Sequence, residues 1–183
     1  MRRVFLGLLF FAVLAWVAYQ WSRVSVPRVP QSISADSIAA GMKTVRLFFV
    51  ATGADSLLVE ARELPQPQNL HATAAALVAE LDRGPREGGI AALPAGTSVL
   101  NVYSDARGLL VVDLSRAFLQ GFRGGSTAEY MAVASLVRTL GANMPEVQRV
   151  QIVCGGAPLV TLGGHVPLDR PLEIAEWVDE RTF

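Results

Sequence analysis

An aspartate and a serine two residues apart, Asp113 and Ser115, form the first pattern in this sequence that could support a reaction. A serine hydroxyl becomes a nucleophile when a histidine takes its proton and an acid orients that histidine. The two histidines are poorly placed for this role, since His71 falls at the start of a predicted helix and His165 in a glycine-rich tail, and no G-x-S-x-G motif surrounds the serine. We therefore predict that Asp113 and Ser115 end a strand and cap the short turn through Phe118, with their side-chain oxygens accepting hydrogen bonds from backbone N–H groups.

The single cysteine, Cys154, is the second candidate for chemistry. One cysteine cannot form an intrachain disulfide or a cysteine-based zinc site. Cys154 and His165 together would make a thiol catalyst, but a reactive thiolate needs partial exposure and nearby positive charge. The alternation of residues 147–154 places Cys154 on the same side as Val150 and Ile152, which predicts a buried core cysteine.

Glycine pairs recur along the chain, and none has the spacing of a phosphate-binding loop. Neither G-x-G-x-x-G nor G-x-x-x-x-G-K-[ST] occurs, and no lysine follows Lys43. Gly124-Gly125 precede a predicted helix whose N-terminus could bind an anion, although a loop role is the simpler interpretation. The distant histidines and scattered carboxylates give no metal-ligand spacing, and Glu60 and Glu63 fall on opposite faces of a strand. The sequence therefore predicts no catalytic residue, no cofactor and no metal.

The charge pattern argues against nucleic acid as a partner. The whole chain is neutral, with 16 basic and 16 acidic side chains, and the residues up to Gly41 carry four arginines against Asp36. The remainder therefore carries 12 basic and 15 acidic side chains, a balance of −3. A slightly acidic globular part lacks the basic surface that nucleic-acid binding requires.

The N-terminus predicts a membrane anchor. After Arg2-Arg3 the chain is almost continuously apolar to residue 21, and roughly 18 residues at ~1.5 Å each span ~27 Å, close to the ~30 Å hydrocarbon core of a bilayer. The two arginines should stay in the cytoplasm, which places the rest of the chain outside, in a single-pass protein of the cytoplasmic (inner) membrane. The residues expected in the bilayer or at its interface are Val4, Leu8, Phe11, Leu14, Trp16, Tyr19 and Trp21.

Two other interpretations of this segment stay open: a cleaved signal peptide and a buried helix of a soluble protein. A signal peptide requires small residues at A-x-A spacing after the apolar run, whereas cleavage after Ala18 would put Trp16 at the −3 position. A helix that is apolar on all sides at the extreme N-terminus argues against the soluble alternative. No cysteine follows the run, which excludes a lipid anchor at this end. Residues 22–41, with two prolines and several serines, are predicted to form a flexible linker.

The first half of the remaining chain reads as hairpin, helix and hairpin. Residues 45–50 predict a central strand buried on both faces, and it pairs with the alternating run 57–64, in which Glu60 and Arg62 share one face and Val59 and Ala61 the other. A helix follows, capped by Asn69 and ended by Gly84-Pro85. Its apolar stripe is Leu70, Ala74, Leu77, Val78 and Leu81. The second hairpin joins residues 99–103 and 109–114.

The second half reads as helix, strand, edge strand and acidic tail. The second helix begins with Ser126–Glu129, whose spacing predicts a capping box in which Ser126 bonds forward and Glu129 reaches back. A strand at 147–154 is followed by an edge strand at 157–162, where Pro158 is tolerated. Residues 172–183 predict a short acidic amphipathic helix that packs on its own domain or docks to a partner.

These elements predict an α+β fold. It consists of a mixed β-sheet of about six strands in the order ββαββαββ, with two helices on one face, preceded by a single transmembrane helix. The corresponding segments are the anchor at 1–21, the linker at 22–41, a folded domain at 42–171 and the tail at 172–183.

Taken in order, the segments of the folded part resemble the GerMN domain. The resemblance covers residues 43–171 and rests on Val45–Phe49, Leu57 with Glu60–Leu64, Leu77–Leu81, Leu93–Val99, Gly108–Phe118, Gly124–Thr139 and Val147–Gly156. The positions that we expect to match the structural pattern of the family are Gly84, Pro85, Pro94, Gly96, Asp113, Ser115, Phe118, Glu129 and Thr139.

The resemblance implies an exported domain of sporulation and spore-germination proteins that has no associated catalytic activity. It also implies a fold similar to the ring-building α+β modules of membrane-spanning assemblies. This chain has one copy and an anchor helix where the sporulation lipoprotein has two copies and a lipid. We therefore predict a non-enzymatic, membrane-tethered, extracytoplasmic interaction or scaffold module that binds itself or another envelope protein. The alternative is a domain that binds or hydrolyses cell-wall material, which would need a concave pocket with convergent polar groups.

Overall fold

The computed structural model describes residues 41–53 and 55–178. The predicted anchor residues Val4, Leu8, Phe11, Leu14, Trp16, Tyr19 and Trp21 lie outside the described residues, as do nearly all of the predicted linker and the last five residues of the tail. Within the described part of the chain, no helix has the length and apolar character needed to cross a bilayer.

Seven strands and four helices follow one another in the described residues. The strands are β1 (Met42–Val50), β2 (Leu57–Pro65), β3 (Val99–Ser104), β4 (Leu109–Leu114), β5 (Arg149–Cys154), β6 (Ala157–Pro158) and β7 (Leu172–Glu173). The helices are α1 (Leu70–Arg83), α2 (Ala117–Gln120), α3 (Ser126–Asn143) and α4 (Ile174–Val178). The predicted α+β class is confirmed.

The strands form two sheets, so the prediction of a single sheet of about six strands is wrong. One sheet is the antiparallel pair β1–β2. The other runs in the order β3-β4-β5-β6, with β7 also paired to β5, and it is mixed because β4 and β5 are parallel. Helices α1 and α3 share one core with both sheets, with Leu47 of β1, Leu77 of α1, Leu136 of α3 and Ile152 of β5 all buried in it.

Helix α3 is the reason that β1 stops pairing after one partner. The outward backbone groups of Arg46 and Phe48 bond to polar side chains of this helix instead of to a second strand. The N–H of Phe48 donates to Thr139 Oγ1 (3.1 Å), and its carbonyl accepts from Ser135 Oγ (2.5 Å). Asn143 bonds Arg46 in both directions. At the end of β1, Val50 exchanges two backbone hydrogen bonds with Ile90.

Helix α1 has the predicted ends. Asn69 Oδ1 accepts from the Ala72 N–H (2.8 Å) and so caps the N-terminus, as expected for this residue type. Gly84 ends the helix with a φ of +82°, which a residue with a Cβ rarely adopts. Ala74, Leu77, Val78 and Leu81 are buried as predicted.

The predicted edge strand at 157–162 is also wrong beyond its first two residues. β6 consists only of Ala157 and Pro158. After Pro158 the chain leaves the sheet and buries Leu159 and Leu162 in the core, so the apolar residues that suggested a strand are loop residues packed inward. The parity of β5 is as predicted, with Val150, Ile152 and Cys154 buried.

Candidate functional site

Asp113 and Ser115 hold two distant loops against the end of β4. Asp113 is buried, and its Oδ1 accepts from the Gly156 N–H in the turn after β5 (2.9 Å). Ser115 Oγ accepts from the Ser98 N–H (3.1 Å) and donates to the Gly96 carbonyl (3.2 Å). The short helix α2 has no side-chain cap, so the predicted capping of the turn through Phe118 is wrong. The side-chain oxygens of Asp113 and Ser115 instead bond to backbone groups of loops that are distant in the sequence. Sequence spacing alone could not predict these contacts.

The two histidines bond to other partners than this serine. His71 Nε2 lies 3.3 Å from the Leu100 carbonyl oxygen, and His165 Nδ1 lies 2.9 Å from Glu129 Oε2. Neither of these hydrogen bonds reaches Ser115 or Cys154. The arrangement therefore lacks the hydroxyl–imidazole contact with which nucleophilic catalysis begins.

Cys154 is a core cysteine, as predicted. Its side chain is buried, and Sγ lies 3.4 Å from the Ser115 carbonyl oxygen. Burial raises the pKa of the Cys154 thiol, because the charged thiolate is poorly solvated there. The neutral thiol is a weak nucleophile, which fits a packing role.

Glu129 is fully buried and organises a loop 33 residues further along the chain. Its Oε1 accepts from the Leu162 N–H (2.9 Å), and its Oε2 accepts from the N–H (2.8 Å) and the ring of His165. The residue before α3 is Gly125, and no side chain caps the helix, so the predicted capping box of Ser126 and Glu129 is wrong. The loop at 162–166 supplies several N–H groups to one carboxylate, more than the single N–H that a capping box would supply.

Arg62 is the buried charge that the sequence pattern does not reveal. It is 3% exposed although it lies on an edge strand. Nε donates to Glu60 (2.7 Å), Nη1 to Glu80 (2.7 Å) and Nη2 to the Gly84 carbonyl (2.7 Å), and the guanidinium carbon lies 5.1 Å from the centre of the Phe49 ring. The hydrogen bond from Arg62 lowers the pKa of Glu60. This network fastens the end of α1 to β2.

The remaining positions expected from the family pattern lie in turns and in the core. Gly96, with a φ of +83°, donates its N–H to Asp82 Oδ1 (2.8 Å), and Thr97 Oγ1 donates to the Pro94 carbonyl (2.5 Å). Phe118 is fully buried and Pro85 is half-buried beside Gly84. Thr139 is the α3 residue that bonds β1.

No metal or phosphate site emerges in the part of the chain that the structure describes. No group of three or more His, Cys, Asp or Glu side chains there could hold a metal ion. The N-terminus of α3 at Gly125–Ala128 opens onto a cavity of about 390 Å³, whose other walls include Val50, Ile90 and Met131. These walls are apolar, which favours the loop role predicted for Gly124-Gly125.

The outer edge of β2 carries unused backbone groups next to exposed apolar side chains. Pairs Gly41–Gln66 and Ala51–Ser56 are hydrogen-bonded, so alternation along β1–β2 points the N–H and C=O groups of Val59, Ala61 and Glu63 away from β1. Among the described residues, these groups make no hydrogen bond. The side chains of Leu58 and Val59 on this strand are 42% and 55% exposed. We call the backbone of residues 59–63 the open edge.

A comparison with models of known protein families identifies the family of this chain. The model of the Germane family, described as sporulation and spore germination, matches residues 46–160. The chain belongs to the Germane family. No curated protein matches this Germane chain in sequence.

Solved structures show the same domain. The first GerMN domain of the sporulation protein GerM from Bacillus subtilis is 25% identical, with a TM-score of 0.54 over 72% of this chain and 97% of that one. The tandem GerMN domains of the same protein are 24% identical, with a TM-score of 0.57 over 74% of this chain and 48% of that one. A candidate lipoprotein from Clostridium perfringens is 20% identical, with a TM-score of 0.51 over 73% and 88% of the two chains. The predicted resemblance to a GerMN domain is confirmed.

Proposed function

We propose that this Germane chain is a membrane-tethered, extracytoplasmic, non-catalytic interaction module that binds an extended strand of a partner protein along the open edge of β2. The observation that carries the proposal is the contrast between the two edges of the β1–β2 sheet. The β1 edge is filled by Ser135, Thr139, Asn143 and Ile90, whereas the β2 edge has no partner among the described residues. An open edge of this kind is a template for strand addition.

The side chains around the open edge define the partner. Val59 and Leu58 offer apolar contacts, and exposed Glu63 favours a basic residue opposite it. Such a strand could come from another envelope protein or from a second copy of this chain. Main-chain hydrogen bonds would supply affinity in either case, and the side chains would set the register.

The structural use of the reactive groups supports a role without catalysis. Ser115, Cys154, Asp113 and Glu129 each bond to backbone of a neighbouring segment. A group that holds the fold together in this way cannot be displaced by substrate without loss of structure. The proposal therefore places the activity of the module in its surface.

Site-specific photo-crosslinking in intact cells tests the open edge. A photoreactive residue at Ala61 should give discrete adducts, and the same residue at exposed Glu146 should not. With the photoreactive residue moved to Val59, Ala61→Pro should abolish the adducts. It should leave the melting temperature nearly unchanged, because it removes an outward N–H that does not bond to β1. Monomer alone at native abundance, or the same adducts from Glu146, would contradict the proposal.

The tether is tested separately by membrane extraction. We expect the full-length chain to stay in the pellet after alkaline carbonate treatment, and a chain without residues 1–21 to be released. Protease added outside spheroplasts should degrade the folded domain. Recovery of the full-length protein in the carbonate supernatant would refute the tether while leaving the strand-binding proposal open to its own test.

A further inference from the structure

A cleft on the far side of α3 from its β1 contact residues combines an aromatic pair with exposed charges. It has a volume of about 400 Å³ and lies between α3, α4 and the segment before β7. This volume falls in the range of small-ligand and side-chain pockets, which is on the order of 300–1,000 Å³. Its walls include Tyr130, Pro167, Arg170, Pro171, Glu176 and Trp177.

The aromatic wall is preorganised. Trp177 stacks on Tyr130 with ring centres 4.9 Å apart and an angle of 26° between the planes. Ile174, one turn before Trp177, packs so closely on α3 that a Cβ added at Gly141 would lie 2.6 Å from it. These contacts fix α4 in place, so the rings do not have to be ordered when a ligand binds.

The rim of the cleft is acidic. Among the described residues that line it, Glu173 and Glu176 are acidic and Arg170 is basic. Glu176 forms no ion pair with another described residue, and Glu173 meets Arg149 only at 3.9 Å, with half of its side chain exposed. An exposed pair at this distance is weak and leaves the carboxylate open to a second cation.

We propose that this cleft binds an arginine or lysine side chain of an extended peptide segment from a partner protein. A guanidinium group can lie against an aromatic ring and donate to a carboxylate at the same time, which is what Trp177 and Glu176 offer together. Arg170, which also lines the cleft, can donate to a backbone carbonyl of the same segment. A neutral glycan would also use the rings, but it would leave the charge of both carboxylates uncompensated.

The site lies on other elements than the open edge of β2. The inference therefore goes beyond the proposed function, and a failure of one leaves the other intact. A partner that used both surfaces would gain affinity by linking two weak contacts.

Fluorescence of Trp177 provides a direct test. The chain contains three tryptophans, so the full-length variant W16F/W21F in detergent leaves Trp177 as the reporter. The probe is the peptide acetyl-Ala-Pro-Arg-Pro-Ala-amide, and its matched partner carries citrulline, which has nearly the same shape without the charge. We expect a saturable fluorescence change with the arginine peptide and about tenfold weaker binding of the citrulline peptide, as for a charge-assisted hydrogen bond.

Variants assign the effect to the cleft. E173Q/E176Q should weaken the arginine peptide about tenfold, whereas E87Q/E146Q, which removes the same charge at exposed sites outside both proposed binding surfaces, should leave its affinity unchanged. Equal affinity of both peptides, equal effects of both double variants, or saturation by an N-acetylglucosamine tetramer with no response to the peptide would each overturn the proposal. The last outcome would make the cleft a glycan site.

Discussion

Asn143 and Arg46 are joined by two hydrogen bonds that take the place of a β-strand pairing. Asn143 Oδ1 accepts from the Arg46 N–H (2.9 Å), and Nδ2 donates to the Arg46 carbonyl (2.7 Å). The carboxamide thus presents one acceptor and one donor, as a neighbouring strand would. It closes the edge of β1 at a point where a further strand could otherwise add.

The pattern repeats because the periods of helix and strand match. Thr139 and Asn143, which bond Phe48 and Arg46, are four residues apart on α3, a rise of about 6 Å. Ser135, one step earlier, shares Phe48 with Thr139. Phe48 and Arg46 are two residues apart on β1, about 6.7 Å. Two polar residues four apart on a helix can therefore bond alternate residues of a strand. Within the described residues, the edge of this sheet that is left for a partner is that of β2.

Asn143→Ala should destabilise the domain by about 2–4 kcal/mol. The substitution leaves the N–H and carbonyl of Arg46 without partners in a partly buried position, and each such group costs about 1–3 kcal/mol. Urea unfolding followed by circular dichroism measures the change. Asn101→Ala, at an exposed asparagine of β3, is the matched control and should stay within about 0.5 kcal/mol. Equal effects of the two variants would show that the pairing contributes nothing specific.

Arg62→Met should cost about 3–5 kcal/mol, because it leaves Glu80 charged and buried with only the exposed Arg83 as a partner. Adding Glu80→Met should recover most of the loss, since a buried ion pair can be replaced by apolar side chains of similar size. The control is Arg83→Met, whose side chain is 71% exposed although it pairs with the same glutamate. Thermal or urea unfolding of the three variants measures these changes in the free energy of unfolding. A double variant less stable than Arg62→Met alone would contradict this account.

Arg62 also shows how far the sequence predicts the fold. The alternation in β2 correctly separates Glu60 and Arg62 from Val59 and Ala61, because strand geometry alone sets the two faces. Which face points inward depends on Glu80 and the Gly84 carbonyl at the end of α1, which satisfy the guanidinium. The structure therefore buries Arg62 and leaves Val59 exposed, the reverse of what hydrophobicity favours. Helix ends such as Asn69 and Gly84 were predictable because their contacts are local.

Glu129 gives the same lesson for the candidate site. A capping box is recognised from residues within one helical turn. The backbone N–H groups that donate to Glu129 belong to Leu162 and His165, more than 30 residues away. The glycines at 163 and 164 allow the loop to turn around the carboxylate, and a Cβ at Gly163 would lie 3.1 Å from Oε2. Only the tertiary fold brings these groups together, so sequence spacing assigned the residue to the wrong partner.

Acid should weaken the domain through Glu129. Burial by itself would raise the pKa of Glu129, but the backbone N–H groups of the 162–166 loop and the His165 ring outweigh it and hold the pKa below its ordinary value. A carboxyl with a lowered folded pKa contributes stability that is complete above its unfolded value, about 4.3, and is lost as the pH falls through the folded value. The free energy of unfolding should therefore fall in this acid range for the native protein.

Glu129→Gln isolates that contribution. The amide cannot accept from all the donors of the loop, so the variant should be less stable than the native protein at pH 7, and the difference should shrink below about pH 4. Urea unfolding between pH 3 and pH 7 measures both curves. Glu63→Gln, at an exposed carboxylate, should leave the curve unchanged. A gap that is constant over the whole range would show that the charge of Glu129 does not matter.

Gly89→Ala should be more harmful than Gly88→Ala, although both glycines have left-handed backbone, with φ of +77° and +73°. The shared strain is on the order of 1–2 kcal/mol. A Cβ at Gly88 meets open space, whereas one at Gly89 would lie 2.7 Å from the Val50 carbonyl oxygen and force apart the two Val50–Ile90 hydrogen bonds. We expect about 1 kcal/mol for Gly88→Ala and about 3 kcal/mol or more for Gly89→Ala, measured by urea unfolding. Because this bridge closes the last part of the β1 edge, Gly89→Ala should also speed amide hydrogen exchange at Val50 and Ile90, and Gly88→Ala should not.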